Sequence, residues 1–384
     1  MKIVLVSSFL NHHQKPLCEA LLKRADEFYF VSTENTTNVG YQIASKEEYV
    51  LCYFEENQKE LIREKILEAD VVIFGACPIE LIQLRMAKNK LSFIYAERFF
   101  KKGIWRRFIP LIRKTIHQKI ISHKDKNLYV LCASAFLSYD LSLLGYPSEK
   151  CFKWGYFPIA KKQADIQTLI EKKKKNSILW CSRLIPWKHP EDVICMAEKL
   201  KEEGYNFELN IIGDGVLKEK LQDYIRKKGL ADCVHLLGGM STDEVRRYME
   251  ESQIFLFTSD RMEGWGAVLN ESMNSGCAVV ASHAIGSVPF LIENGINGNI
   301  YKSGNWNELS LKVTDLLNKP EKCKELGVQA YETLISRWTA DEAVTRLLNL
   351  IQVIEKGGET TNIFTDGPCS NAKIIKDNWV KELK

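Results

Sequence analysis

Residues 177–217 read SILWCSRLIPWKHPEDVICMAEKLKEEGYNFELNIIGDGVL. The apolar runs SILWCSR and FELNIIG have the length of strands, and PEDVICMAEKLKEEG between them has that of a helix. Strand, helix, strand in succession is the repeating unit of a parallel sheet covered by helices. The alternation continues C-terminally through VHLLGG, STDEVRRYMEES, IFLFTS and CAVVAS. It also runs from the N-terminus, through KIVLVSS, KPLCEALLKRAD, FYFVST, ENQKELIREKILEAD, VVIFGA, IELIQLRMAKN, LSFIYAE and LYVLCAS. Only GYFPIAKKQADIQTLIEKKKKN, residues 155–176, breaks the order, and its lysine run reads as a linker or a solvated helix end. The expected fold is α/β, with two Rossmann-like, doubly wound domains facing each other across a cleft. The first is expected over 1–165 and the second over 176–336, with 337–384 a helical segment folding back on the first. Ligands of open α/β sheets bind beyond the carboxyl ends of the strands, so the chemistry is sought there.

With 384 residues, 45% apolar and 27% charged, the chain has the composition of a soluble protein large enough for two cores. A net charge of +4 is too small for a nucleic-acid binder, so any basic patch is local. Eleven cysteines without a CxxC pair read as free thiols in a reducing cytosol rather than as disulfides or a zinc site. The opening MKIVLVSSFLNHH meets Asn11, His12 and His13 where a signal peptide would have small residues, so it reads as a first buried strand. No apolar run approaches the ~18 residues of a membrane span. The first strand enters SSFLNHHQ without a GxGxxG turn, which disfavours a nicotinamide dehydrogenase.

Four signals carry chemistry in the second half. CSRLIPWK puts Arg183 at a strand end and Lys188 five residues on. IIGDGVL makes a tight turn of Gly213, Asp214 and Gly215, in which Asp214 is more often a turn stabiliser than a ligand. LLGGMS places Gly239 and Met240 after another strand. Last, DRMEGWGAVLNESMNSGCAVVAS, residues 260–282, carries Glu263, Gly264, Trp265, Gly266, Ala267, Val268 and Glu271. Eight helical residues turn through roughly 800°, so Glu263 and Glu271 do not share one helix face. The segment reads as a loop bearing Glu263, then a helix from near Gly266 bearing Glu271 and ended by Gly276. A helix N-terminus suits an anion, and acceptor-only carboxylates suit hydroxyls. Taken singly, Glu271 is an ordinary acid near a helix start, Arg183 and Lys188 are surface cations, and Trp265 is a packing residue.

As an ordered set these motifs resemble the retaining family-4 glycosyltransferases of GT-B fold, of the bacterial glycan-assembly type. An Arg and a Lys, a GDG turn, a strand ending in Gly and an E-G-x-G-x(4)-E segment follow in that order, with Trp265 where phenylalanine is usual. The resemblance implies a hexosyltransferase acting on a nucleotide-sugar, a UDP- or GDP-sugar as substrate, with no cofactor and no metal. It gives Arg183 and Lys188 the leaving diphosphate, together with the amides of Gly266, Ala267 and Val268. It also implies that Glu271 takes the ribose, Glu263 the donor sugar, and Gly239 and Met240 the edge of the nucleobase. Gly264 would also bind the donor, and Trp265 would wall off its sugar. The alternatives are a sugar-nucleotide epimerase of the same fold, or a sugar-nucleotide-binding protein without catalysis.

In the first half, Asn11-His12-His13-Gln14 replaces the glycine-rich loop of many family members, and a later strand ends in Tyr95-Ala96-Glu97-Arg98. His12, His13, Glu97 and Arg98 are therefore candidates for acceptor or cleft contacts, with helix capping and packing an equal possibility for the histidine pair. Residues 99–124, FFKKGIWRRFIPLIRKTIHQKIISHK, hold eight Lys and Arg and no acid. Trp105, Phe108, Ile109, Ile112, Ile116 and Ile120 recur there at near-helical spacing, and Pro110 divides the segment into two helices. The apolar stripe alone reads as core. The charge points to an anionic membrane surface, hence to a peripheral protein on the inner face of the cell membrane with a glycan or lipid-linked acceptor.

Overall fold

The computed structural model describes residues 1–35 and 47–382. It divides into two compact units, one of Met1–Ile159 with Arg337–Lys376, the other of Ala160–Ser336 with the chain from Asp377 onward.

The first unit is built on strands β1 (Lys2–Ser7), β2 (Glu27–Ser32), β3 (Val50–Cys52), β4 (Val71–Phe74), β5 (Ser92–Ala96), β6 (Leu128–Cys132) and β7 (Cys151–Lys153). They form one parallel sheet in the order β3-β2-β1-β4-β5-β6-β7. The inner strands are near-continuous apolar runs, VVIF in β4 being buried at every position, as a sheet covered on both faces requires. The order reverses between β1 and β4, so a crevice opens at their carboxyl ends, where residues 8–14 leave the sheet. The C-terminal segment returns to this unit. Helix Ala340–Glu355 packs on helix Lys15–Leu22. Farther on, Cys369 N, Ala372 N and Ser370 O bond the backbone of Lys153 and Cys151, so the tail covers the β7 edge.

The second unit holds β8 (Lys174–Cys181), β9 (Glu208–Ile212), β10 (Val234–Gly238), β11 (Ser252–Phe257), β12 (Ala278–Ser282) and β13 (Asn299–Tyr301). These are again parallel, in the order β10-β9-β8-β11-β12-β13. Ile178, Trp180, Leu209, Ile211, Ile254, Leu256 and Val280 fill the core around them. The reversal falls between β8 and β11. The segments leaving these two strands are SRLIPWK and TSDRMEGWG, so the topology itself brings Arg183, Lys188 and Glu263 to one switch point.

The lysine run differs from the expectation of a solvated linker. Helix Ile166–Glu171 precedes β8, which starts inside the run at Lys174. Lys173 is buried, donating to Met249 O at 2.8 Å and Ser252 O at 2.9 Å. Its long apolar stem lets an ammonium reach carbonyls that end a neighbouring helix. The unit boundary accordingly lies at 159/160, and the chain from Asp377 onward leaves the first unit: Trp379 Nε1 donates to His283 O at 3.1 Å. All eleven cysteines are free thiols.

Candidate functional site

Arg183 is set by the glycine turn beside it. Leu184 N donates to Asp214 O at 2.8 Å, and Leu217 N to Leu184 O at 3.0 Å. Gly213 has φ 141°, and a Cβ there would lie 1.8 Å from Ser182 O. The glycine is required because two backbones touch where a side chain would stand. Asp214 serves the turn itself, accepting from Gly215 N at 2.8 Å and pairing with Lys218.

Beyond Arg183 the short helix Pro186–Lys188 ends at His189, which adopts a left-handed φ of 50° and redirects the chain into helix Pro190–Glu202. Thr258 Oγ1 donates to Lys188 O at 2.6 Å and accepts from Trp180 Nε1 at 2.8 Å, tying this turn to the end of β11. The Lys188 ammonium is buried and forms an ion pair with Glu263, whose carboxylate also accepts from Ser259 Oγ at 2.9 Å. Lys188 Nζ lies 4.4 Å and Arg183 Cζ 5.8 Å from the centroid of the Trp187 ring. Burial lowers the Lys188 pKa from its ordinary value, and Glu263 opposes the shift. Neither Trp187 nor Ser259 was singled out from sequence. Trp187 stood inside the quoted motif, but nothing marked its ring as the platform under two cations.

Glu271 lies on helix Val268–Asn274. Burial raises its pKa above the usual carboxylate value, and the Arg246 charge pulls it partly back. The Cys181 thiol at the end of β8 registers both charged groups: burial pushes it up to about 12, with Glu271 adding and Lys188 opposing. Both charges thus act on the end of β8. In the chain, the Gly264–Val268 loop joins Glu263 to the helix that bears Glu271. Leu269 N donates to Gly266 O at 3.0 Å, so the amides of Gly266, Ala267 and Val268 precede the helical ladder, where an anion finds donors. Gly266 has φ 82°, and a Cβ there would meet Phe257 Cζ at 2.3 Å.

Trp265 departs from its expected place as a wall of the donor. It is 0% exposed, its Nε1 donates to Asn270 Oδ1 at 2.9 Å, and its carbonyl accepts from Ser287 Oγ at 2.6 Å. A loop flanked by glycines needs an anchor, and the large ring supplies it from the core. Gly239 and Met240 follow β10; Gly239 is exposed, with open space where a Cβ would stand. Among the described residues, no three His, Cys, Asp or Glu side chains group as a metal cradle.

In the first unit, Asn11 makes the turn before helix Lys15–Leu22, its Oδ1 accepting from His13 N and Gln14 N at 3.0 Å each. Asn11 thus shapes the turn that leads into the helix, whose N-terminus carries no side-chain cap. The imidazole centroids are 3.7 Å apart, His12 exposed and His13 half-buried, and His13 lies parallel to Tyr156 at 6.3 Å. Burial, with His12 adding, takes the His13 pKa down to about 3, so the ring is neutral. Tyr156 donates to Glu97 Oε1 at 2.6 Å, and Lys101 pairs with Glu97 at 2.5 Å. His13, Tyr156 and Glu97 are thus one polar cluster. Arg98 does not join it: its buried side chain pairs with Asp140 at 3.0 Å and lies 5.0 Å from the Phe136 centroid. It points the other way because neighbouring residues at a strand end alternate in direction.

Two Rossmann-like parallel-sheet units define the GT-B class of fold. Residues 161–333 match the family model described as "Glycosyl transferases group 1". A crystal structure of HepE from Anabaena in complex with UDP superposes with a TM-score of 0.67 at 15% identity, over 91% of this chain and all of that one. An uncharacterized glycosyltransferase of Methanocaldococcus jannaschii is 32% identical over 40% of this chain and 42% of its own length. The amylovoran biosynthesis glycosyltransferase AmsK of Erwinia amylovora is 30% identical over 60% of this chain and 56% of its own. The chain spans about half the length of these curated relatives.

Proposed function

We propose that the protein is a retaining glycosyltransferase that moves a hexose from a UDP- or GDP-sugar to a glycan or lipid-linked acceptor. The observation that carries this reading is the buried Lys188–Glu263 pair at the β8/β11 switch point, with Arg183 beside it. In this reading Arg183, Lys188 and the amides of residues 266–268 hold the donor diphosphate. Glu271 accepts from the ribose hydroxyls and Glu263 from those of the sugar, while Gly239 and Met240 edge the base. As the bond from the anomeric carbon to phosphate breaks, charge grows on the leaving oxygen and the fixed cations stabilise it. The acceptor oxygen attacks on the same face, and its proton passes to the departing phosphate, so no protein base is needed. His12, His13 and Glu97 would bind acceptor hydroxyls. The UDP in the HepE structure and the polysaccharide context of AmsK support the donor and acceptor classes.

The test is incubation with UDP- and GDP-hexoses, with and without glycan acceptors, followed by NMR of the product linkage. Acceptor-dependent release of nucleoside diphosphate with a retained anomeric centre is expected. An inverted product removes the retaining mechanism, and a new sugar nucleotide in place of transfer would make the protein an epimerase. Because the charge is met by Arg183 and Lys188, EDTA is expected to change the rate less than twofold. A loss restored by a divalent ion would contradict that scheme.

Glu271→Gln yields two opposite effects. Loss of a charge-assisted bond worth about 1.5–3 kcal/mol weakens donor binding roughly ten- to hundredfold at neutral pH. Its raised pKa makes the ionised form costly in the folded protein, so native stability falls as pH rises from the usual carboxylate range through the raised value. The variant should therefore melt higher than wild type at neutral pH, with the gain shrinking toward pH 4. Calorimetry and nucleotide titration read both, and a variant that melts lower and binds normally excludes the assignment.

A further inference from the structure

Residues 101–114 depart from the expectation of a core stripe. A 3-10 helix, Ile104–Phe108, precedes helix Pro110–Lys119, and Pro110 stands at the first turn of the second. Ile116 and Ile120 are buried as expected, but Trp105 is 60%, Phe108 69% and Leu111 73% exposed. In a 3-10 helix, side chains three apart eclipse one another, so Trp105 and Phe108 project from one side. Around them stand Lys102, Arg106, Arg107, Arg113 and Lys114, none of which enters an ion pair among the described residues. Arg107 instead lies 4.7 Å from the Phe108 ring centroid.

We propose that this segment docks the protein on an anionic lipid leaflet, with Trp105, Phe108 and Leu111 inserted below the headgroups and the five cations among them. The inference goes beyond the transferase reading and does not rest on it. Three large apolar side chains standing out of a segment without a single acid have no reason to be exposed in water alone. A polyanion such as RNA would use the cations but leave Leu111 without a partner. A leaflet satisfies both, with anionic headgroups at the level of the cations and hydrocarbon beneath. Each cation near such a surface multiplies partitioning by about five, and salt weakens this.

The full chain, without donor or acceptor, is sedimented with phosphatidylcholine vesicles and with vesicles containing 30% phosphatidylglycerol, at 0.1 and 0.5 M NaCl. Binding is expected to the anionic vesicles only and to fall at least tenfold in high salt. Arg106→Glu/Arg107→Glu should lower partitioning more than a hundredfold, and Trp105→Ala/Phe108→Ala/Leu111→Ala at least tenfold, the triple variant with little change in melting because its side chains are mostly exposed. Independently of the alanine variants, bromine-labelled acyl chains should quench wild-type fluorescence more than that of Trp105→Phe. No binding at 0.1 M NaCl overturns the proposal. So does undiminished binding of the triple variant with equal affinity for heparin, which would make the segment a polyanion site.

Discussion

Lys188→Ala is expected to lower kcat by a factor of about 10²–10³, the usual cost of removing one preorganised group from a developing oxyanion. The effect should fall on turnover more than on donor affinity, because the charge that Lys188 meets grows as the glycosidic bond breaks. The substitution has a second consequence. Lys188 is buried against Glu263, so the alanine leaves a carboxylate without its partner in the interior, at a cost of about 3–5 kcal/mol. Lost activity alone would therefore be ambiguous. Lys188→Met/Glu263→Gln, compared with Glu263→Gln alone, separates the two: it removes both charges and restores most of the melting temperature, while turnover stays well below that of Glu263→Gln. Recovery of kcat with recovery of stability would reduce Lys188 to a structural residue.

Gly213→Ala is expected to destabilise the protein by about 3–5 kcal/mol, as much as the loss of Lys188. Its Cβ would stand 1.8 Å from a backbone oxygen, at a φ of 141° that side chains rarely adopt. A flexible side chain could move aside, but Ser182 O belongs to the backbone that leads directly into Arg183. Relief of the clash must therefore displace Arg183. Circular dichroism melting should show a drop on the order of 10 °C, with donor binding lost in whatever remains folded at low temperature. Gly239→Ala, where a Cβ meets nothing, is the control expected to melt like wild type. Equal melting of both variants would refute the account of the turn.

Most of the long strands were legible because a parallel sheet buries both faces and so writes continuous apolar runs. The edge strands Val50–Cys52, Cys151–Lys153 and Asn299–Tyr301 were not, being three residues long and too short to show a pattern. Arg183, Lys188 and Glu263 stood out only as members of an ordered set of motifs, and the strand order brings their distant segments to one switch point. Trp265 and Arg98 were read outward but point inward. Residue type at a strand end does not say which face a side chain takes, and Arg98 has its partner Asp140 on a helix 42 residues away. Lys173 was misread for the opposite reason: a run of four like residues hid the one whose stem crosses the core.

The tail on the β7 edge also bears on the order of assembly during synthesis. The first unit is interrupted by nearly all of the second, and helix Ala340–Glu355 and the Cys369–Ala372 backbone that join it leave the ribosome after that interruption. The second unit has its whole sheet once Tyr301 has emerged, whereas the first must wait with helix Lys15–Leu22 uncovered and one sheet edge open. An exposed edge of this kind invites pairing with another chain. A nascent chain halted before residue 369 would consequently carry one unit with its sheet complete and one with an adhesive edge.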